Sequence, residues 1–396
     1  MTRRREWPTV LLVVGAGIVS AFQVGKAPLV LPAVQAELAM GLGTAAWLLS
    51  AFAILGAVAG VVIGLVIGRS GARRMTIAGL LLQGLAGGAG AFADSASWLL
   101  ASRVAEGLGF LTVTVAAPAL IVAIVSAEGR SRAIALWGLF MPAGIALVML
   151  GAPLLDPLGW RGFWLANAGI VFSYAALVAI GTRHVATPPP AGSSIFGDLR
   201  QILAIPAPWR LGLFMASFGA IYFAVFGFLP TILGERLGVD AGSASLLTAF
   251  AVAVNALGNL ACGALLARGM SHRSLLATGF GAMALCGAGI FHADIPGSVA
   301  YLLCVAFSGI GGLLPVALLD AAPRSVSRPH LAGAAIGLVM QGNNAGLVLG
   351  PAVAGALAEA AGWPAVSWLV AAVALASLLL AVMTDRNNSL TAREQP

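Results

Sequence analysis

Three ionisable side chains stand deep inside apolar runs of this sequence: Lys26, Arg103 and Glu106. A charge at the centre of an inserting helix costs about 2.5–3.5 kcal/mol, so each needs a partner, a watered cavity or a task. Lys26 is the single lysine of the chain, and the other twenty basic residues are arginine. An ammonium is a compact charge whose pKa moves readily on burial, which suits it to hold an anion or couple to a proton. Glu106, beside two cations, can alternate between ionised and neutral as charge arrives and water leaves, and is the candidate proton carrier. Arg103 lies three residues before it, on the same helix face. Two cations and one carboxylate sum to a formal charge of +1, which favours an anionic or zwitterionic solute over a cationic one. Gln23, three residues before Lys26, shares its face and is a candidate solute contact. Each residue has a plainer reading. Lys26 can snorkel to the outer interface, Arg103 can pin its helix to a neighbour's backbone, and Glu106 can simply neutralise Arg103.

Further along, the polar groups inside apolar runs are uncharged: Tyr222, Asn255, Asn259, Tyr301, Gln341, Asn343 and Asn344. They are candidate solute contacts, and Asn255 and Asn259 share one face at i, i+4. Amides inside a membrane equally bridge helices. Phe223, Phe226 and Phe228 read as packing or lipid-facing residues. Enzymatic chemistry finds no support, since His184, His272, His292 and His330 fall in or beside loops and form no catalytic or ligand set. Cys262, Cys286 and Cys304 lie in separate apolar runs and read as packing residues. No metal, cofactor or phosphate-binding loop is expected.

The elements that must carry these residues follow from composition. Hydrophobic residues make up 60% and charged residues 9%, and mean hydropathy is +0.99. A soluble domain has about 25% charged residues. Continuous apolar runs of roughly 20 residues recur throughout, which indicates membrane-spanning helices and not a β-barrel. Twelve spans are read, at 9–36, 43–67, 75–93, 98–125, 133–155, 163–181, 210–233, 243–267, 274–292, 298–319, 331–358 and 364–384. With the N-terminus inside, seventeen arginines fall in cytoplasmic segments and only Arg161 and Arg236 in outer loops. That bias places both termini in the cytoplasm. It also accounts for the pI near 10.3 without nucleic acid. The basic start "MTRRREW" precedes a run too long for a cleavable leader and reads as the first span.

The domain reading is a first six-helix bundle at 1–181, a cytoplasmic linker at 182–209 and a second bundle at 210–396. In the linker, "TPPPAGSS" precedes "IFGDLRQIL", whose apolar spacing around Asp198 and Arg200 predicts a short helix on the membrane face. From the outer ends of spans one and four, Lys26 and Glu106 reach comparable depth, so they are expected to face each other. The halves repeat. "GLVIGRSGARR" (64–74) closes span two and "GALLARGMSHR" (263–273) closes span eight, while "LGW" (158–160) and "AGW" (361–363) follow spans five and eleven. Such duplication is the mark of a carrier built from two related bundles.

These segments resemble the major facilitator superfamily over essentially the whole chain. Gly64, Arg69, Gly71, Arg73 and Arg74 match its signature between spans two and three, and "RVAEGLG" (103–109) matches its fourth-span motif. Glu128 and Arg130 of "EGRSRA" match the loop after that span, and "GWRGFWLAN" (159–167) matches the entry to span six. The first and third of these form a cytoplasmic gate in that family. The resemblance implies an all-α fold of two six-helix bundles and alternating access around a central site lined by spans one, four, seven and ten. It implies a small-molecule solute, protons and membrane lipid as partners, and a monomer. "GKAPLVLPAVQAEL" and "QGNNAGLVLGP" loosely resemble bacterial cyanate and nitroimidazole permeases. The chain departs from the family twice. Gly68 replaces the acidic residue of the signature, and the span-five Gly-Pro pattern of drug antiporters is degenerate. A related pattern, Gly346, Gly350 and Pro351, falls in span eleven instead. The alternatives kept open are a proton-coupled exporter of drugs or metabolites, and a non-transporting sensor.

Overall fold

A computed structural model describes residues 3–40, 42–185, 194–239, 241–292 and 294–383. Most of "TPPPAGSS" and the tail "DRNNSLTAREQP" lie outside these. The described residues are helical, with no strand among them. In hydrocarbon every backbone polar group needs an internal partner, and a helix supplies it within one segment.

The first six spans are α1 (Arg3–Glu37), α2 (Leu42–Ser70), α3 (Ala72–Ala91), α4 (Ala96–Ile124), the pair α5 (Arg130–Gly138) and α6 (Phe140–Leu150), and α7 (Leu155–Gly181). The linker contributes α8 (Ile195–Leu203). The last six are the pair α9 (Pro206–Phe226) and α10 (Leu229–Leu237), α11 (Ala241–Ala267), α12 (His272–Ile290), the pair α13 (Gly297–Gly311) and α14 (Leu313–Ala321), α15 (Ala332–Ala361), and α16 (Trp363–Met383). Three spans expected as single helices are therefore broken. Each break precedes a proline by two or three residues: Leu139 before Pro142, Phe228 before Pro230, Gly312 before Pro315. Proline removes an N–H and crowds the carbonyl four residues back, so the helix interrupts there.

The internal repeats have a backbone cause. Gly71 (φ 85°) and Gly269 (φ 87°) turn the chain after spans two and eight, and Gly159 (φ 62°) and Gly362 (φ 78°) do so before the Trp of "LGW" and "AGW". A left-handed φ is open to glycine and strained for other residues.

Large apolar side chains cover the periphery, among them Phe92 at 73% and Leu285 at 80% exposure. Apolar patches of that extent suit lipid rather than water. The two halves meet along α2 and α15 and along α5, α11 and α14. On α2, a Cβ at Gly60 or Gly64 would run into the Gly337 or Gly333 carbonyl of α15, so backbone packs on backbone there. These contacts lie toward the end of the molecule that carries α8, called the linker side below. On the opposite side Arg161 donates to the Ala91 carbonyl, and Arg236 to those of Ile290, His292 and Ile295, at 2.6–2.8 Å. Both arginines that break the loop-charge asymmetry thus tie down backbone.

Candidate functional site

The three buried charges meet. Lys26 of α1 donates to Oε1 of Glu106 on α4 at 2.6 Å. Arg103 Nη1 pairs with Oε2 of the same carboxylate. Arg103 Nε donates to the Leu48 carbonyl of α2 at 3.2 Å. Lys26 Nζ lies 3.9 Å from the Trp164 ring centre on α7, and the Arg103 guanidinium 4.5 Å from that of Phe52. All three charged side chains are 0–1% exposed, so the lysine ammonium does not reach the interface. The plainer readings of the other two are partly realised too: Arg103 does bind a neighbour's backbone, and Glu106 does neutralise it.

Glycine on α3 makes room for the cluster. A Cβ at Gly87 would lie 2.8 Å from Glu106 Oε1 and 3.4 Å from Lys26 Nζ. Since α3 and α7 pack mainly on first-half helices, the triad sits inside the first half, behind the face that meets the second. One turn toward the linker side, Gln23 is wholly buried with neither amide atom hydrogen-bonded. Ser20, a further turn along, donates to Gln83 of α3 at 2.9 Å. A polar stripe thus runs along α1 from Ser20 to Lys26. Gln83 and Gly87 escaped the sequence reading because their helix carries no buried charge, and Trp164 entered it only within "GWRGFWLAN", with no role beside Lys26. The i, i+4 pair Trp160 and Trp164 was the one available signal, and the two rings pack edge to face at 6.1 Å.

The amides and tyrosines of the second half gather elsewhere. Asn255 Nδ2 donates to the Ser308 carbonyl at 2.9 Å, and Asn259 Nδ2 donates to Asn255 Oδ1 at 3.2 Å. The Tyr222 and Ser308 hydroxyls are 3.3 Å apart. Asn259 also crosses to the first half, donating to the Gly138 carbonyl at 2.8 Å. That carbonyl is the one Pro142 leaves without its helical donor. Gln341 accepts from the Val61 amide at 3.2 Å, Asn344 donates to its own helix at Met340, and Tyr301 donates to Leu247. All of these but Asn344 bridge helices, the alternative role open to amides. Aromatic rings flank them: Phe226 stacks on Tyr222 at 4.5 Å, and Phe52, Phe110, Phe140 and Trp137 form a chain in the first half.

The signature residues sit at the linker-side closure. Gly64 backs onto Gly333, and Gly71 makes the turn. Arg73 donates to the Thr182 hydroxyl at 3.0 Å and the Ala179 carbonyl at 2.6 Å. Arg74 and Glu128 are exposed, and Arg130 opens α5. Arg69 pairs with Asp198 of α8 at 2.8 Å. A further buried carboxylate, Asp320 of α14, accepts from Ser131 across the halves at 3.0 Å and contacts His272 and Arg324 at 2.9 Å. Asp320 was passed over because it stands at the very edge of its apolar run.

The sequence matches the Major Facilitator Superfamily over residues 13–340. The methyl viologen resistance protein SmvA of Salmonella typhimurium is 29% identical over 179 residues, 44% of this chain and 36% of that protein. An uncharacterized MFS-type transporter of Mycobacterium tuberculosis is 28% identical over 140 residues, 35% of this chain and 24% of it. The matched stretches thus span only 36% and 24% of these relatives' own lengths. The fold is similar to that of the proton:xylose symporter XylE bound to 6-bromo-6-deoxy-D-glucose, with a TM-score of 0.75 at 14% identity over 96% of each chain. It is equally similar to the human organic anion transporter MFSD10 (TETRAN), with a TM-score of 0.75 at 14% identity over 96% of this chain and 100% of that one. Ten helices among the described residues that are long and apolar enough to cross a membrane, the glycine-turned repeats and a match across most of the sequence lead to one conclusion: this chain is an integral membrane protein of the Major Facilitator Superfamily, a transporter family.

Proposed function

We propose that the protein is a proton-coupled secondary transporter of a small anionic or zwitterionic organic solute. Its two six-helix bundles, 1–181 and 210–396, rock about a central site as a monomer. The linker side, with both termini, faces the cytoplasm of a bacterial cell. The observation that carries this reading is the buried Lys26–Glu106–Arg103 triad.

With Glu106 ionised, the triad carries one excess positive charge. A proton on Glu106 raises that to two and loosens the hold on both cations. Each ties a different helix to α4, Lys26 holding α1 and Arg103 holding α2, and α2 is the first-half helix that packs on α15 of the second half. An anion nearby offsets the added charge, so proton and anion favour one another, which is the logic of symport. A cation would compete with the proton, which is the logic of antiport.

A second reading, export of flat organic cations, draws on the similarity to the methyl viologen resistance protein and on the aromatic rings around Tyr222. One experiment separates them. Thermal stabilisation of the purified protein is screened with small organic anions and with methyl viologen, at pH 7.5 and pH 5.5. Symport predicts stabilisation by an anion that grows as pH falls. Stabilisation by the dication alone, shrinking as pH falls, selects the second reading and overturns the first.

A further inference from the structure

The turn after span two lacks the acidic residue of the superfamily signature, and the structure gives a reason. A Cβ at Gly68 would lie 3.0 Å from the backbone carbonyl oxygen of His330. The segment leading into α15 comes close enough that a Cβ rooted there would press on its backbone. A carboxylate reaches the same place from another part of the chain. Asp198 of α8 is 3% exposed. Its Oδ2 is 2.8 Å from Arg69 Nη2, and its Oδ1 is 3.5 Å from His330 Nε2. Three residues on, Gln201 Oε1 accepts from Arg328 Nη1 at 2.9 Å. Arg69 belongs to the first half, His330 and Arg328 to the second. One short helix therefore grips both.

That helix is built to hold its place. Ser194 caps it by accepting from the Gly197 amide at 2.9 Å, and Ile202 is wholly buried beneath it. Asp198 lies in its first turn, where the helix dipole favours an anion. Phe196, on another face, is 83% exposed. The sequence pattern suggested a helix resting on the membrane face; the buried Asp198 and Ile202 show that it also docks onto the protein.

We propose that α8 is a latch: Asp198 supplies from the linker the carboxylate that the span-two turn lacks, and holds the linker side shut until the bundles rock. The latch rests on the alternating-access reading and adds a positioning residue to it. The two oxygens of Asp198 face different halves, so the linker side opens only when one contact is released. The pair is mostly shielded, with side-chain exposures of 17% and 5%, so water screens it weakly.

The test is cysteine accessibility in proteoliposomes. Ala334, wholly buried against Gly64 at the α2–α15 contact, is replaced by cysteine in a chain whose Cys262, Cys286 and Cys304 are changed to alanine. Alkylation by a membrane-permeant maleimide then reports opening of the linker side without any solute. Asp198→Asn is expected to speed alkylation about tenfold, between the small effect of an exposed pair and the large one of a buried pair. Arg69→Gln is expected to do the same, and the double variant no more than either, because both break one contact. Asp198→Glu restores most of the protection, and Arg200→Gln, an exposed charge on the same helix, leaves the rate unchanged. Thermal unfolding midpoints of all variants identify general loosening, which would make the single effects add. If Asp198→Asn keeps the parent rate while the parent labels measurably, the latch is overturned and transport stands. If the cysteine at 334 labels in no variant and under no condition, alternating access falls and takes the latch with it.

Discussion

Removing Lys26 and removing Glu106 should have unequal costs, although both break the same ion pair. At 2.6 Å and an effective dielectric near 20, the pair carries about 6 kcal/mol of gross attraction, set against the desolvation of both groups. Lys26→Met leaves Glu106 paired with Arg103, so the buried remainder is neutral. Glu106→Gln leaves two cations on one amide, with no carboxylate to offset them. Breaking a buried pair costs about 3–5 kcal/mol when an uncompensated charge remains, and Glu106→Gln belongs in that range. Lys26→Met gives up a pair and its contact with the Trp164 ring but sheds an excess charge, so its cost is about 1–2 kcal/mol. In the double variant Lys26→Met/Glu106→Gln only one cation faces the amide, so the cost falls short of the sum of the single ones. The assay is thermal and denaturant unfolding of the purified protein in one detergent, at pH 7, with all three variants in parallel. The reasoning is refuted if Lys26→Met is the more damaging change, or if the two costs simply add.

Other consequences follow from single contacts. Gly87→Ala places a Cβ 2.8 Å from Glu106 Oε1 and should destabilise by about 1–3 kcal/mol through overpacking, while Gly88→Ala, with nothing within 4 Å, should be neutral in the same melt. Asn259→Leu strips the Gly138 carbonyl of its donor and should cost about 1–3 kcal/mol; adding Pro142→Ala returns an N–H to that carbonyl and should recover part of the loss, measured as a double-mutant cycle. Glu37, at the outer end of α1, accepts from Trp160 Nε1 at 2.5 Å and Arg161 Nε at 2.9 Å. Those bonds, the Trp160 bond first, hold its carboxyl below the usual value of 4.5. A depressed folded-state pKa means its stabilising contribution is present above the unfolded-state value and is lost as pH falls through the folded one. The difference in melting midpoint between wild type and Glu37→Gln should therefore stay constant from pH 7 to 5 and shrink below about 4.5; a gap that widens on acidification contradicts the clamp.

What was legible in the sequence depended on how local the signal was. Membrane spans are local, because hydrophobic run length alone sets them, and the spans read from the sequence match the helices to within four residues at most ends; α1 and α7 begin six and eight residues earlier than read, and α6 ends five earlier. The short repeat was legible because "LGW" and "AGW" keep a glycine at positive φ in the same place, while the longer one keeps its first glycine and two arginines in step and its turn glycine one position apart. Depth was legible too: counting from span ends put Lys26 level with Glu106, and the side chains touch. Neighbours contributed by other helices were not. Trp164 and Gly87 are ordinary apolar-run residues until packing brings them to the triad. Prolines 142, 230 and 315 are plain in the sequence, but only the structure tells which carbonyl a proline frees and that Asn259, from the other half, satisfies one of them. Asp198 was seen as one polar residue of an amphipathic helix. Its partners lie 129 and 132 positions away, beyond what pattern or propensity encodes.

The central claim, that Glu106 carries the coupling proton, is tested most directly in proteoliposomes with the solute that the stabilisation screen identifies. Accumulation driven by an imposed pH gradient is measured beside solute exchange at equal pH, for wild type and Glu106→Gln. The account predicts that the variant still exchanges solute while accumulation falls to the equilibrium level. Accumulation by Glu106→Gln equal to that of wild type would contradict it.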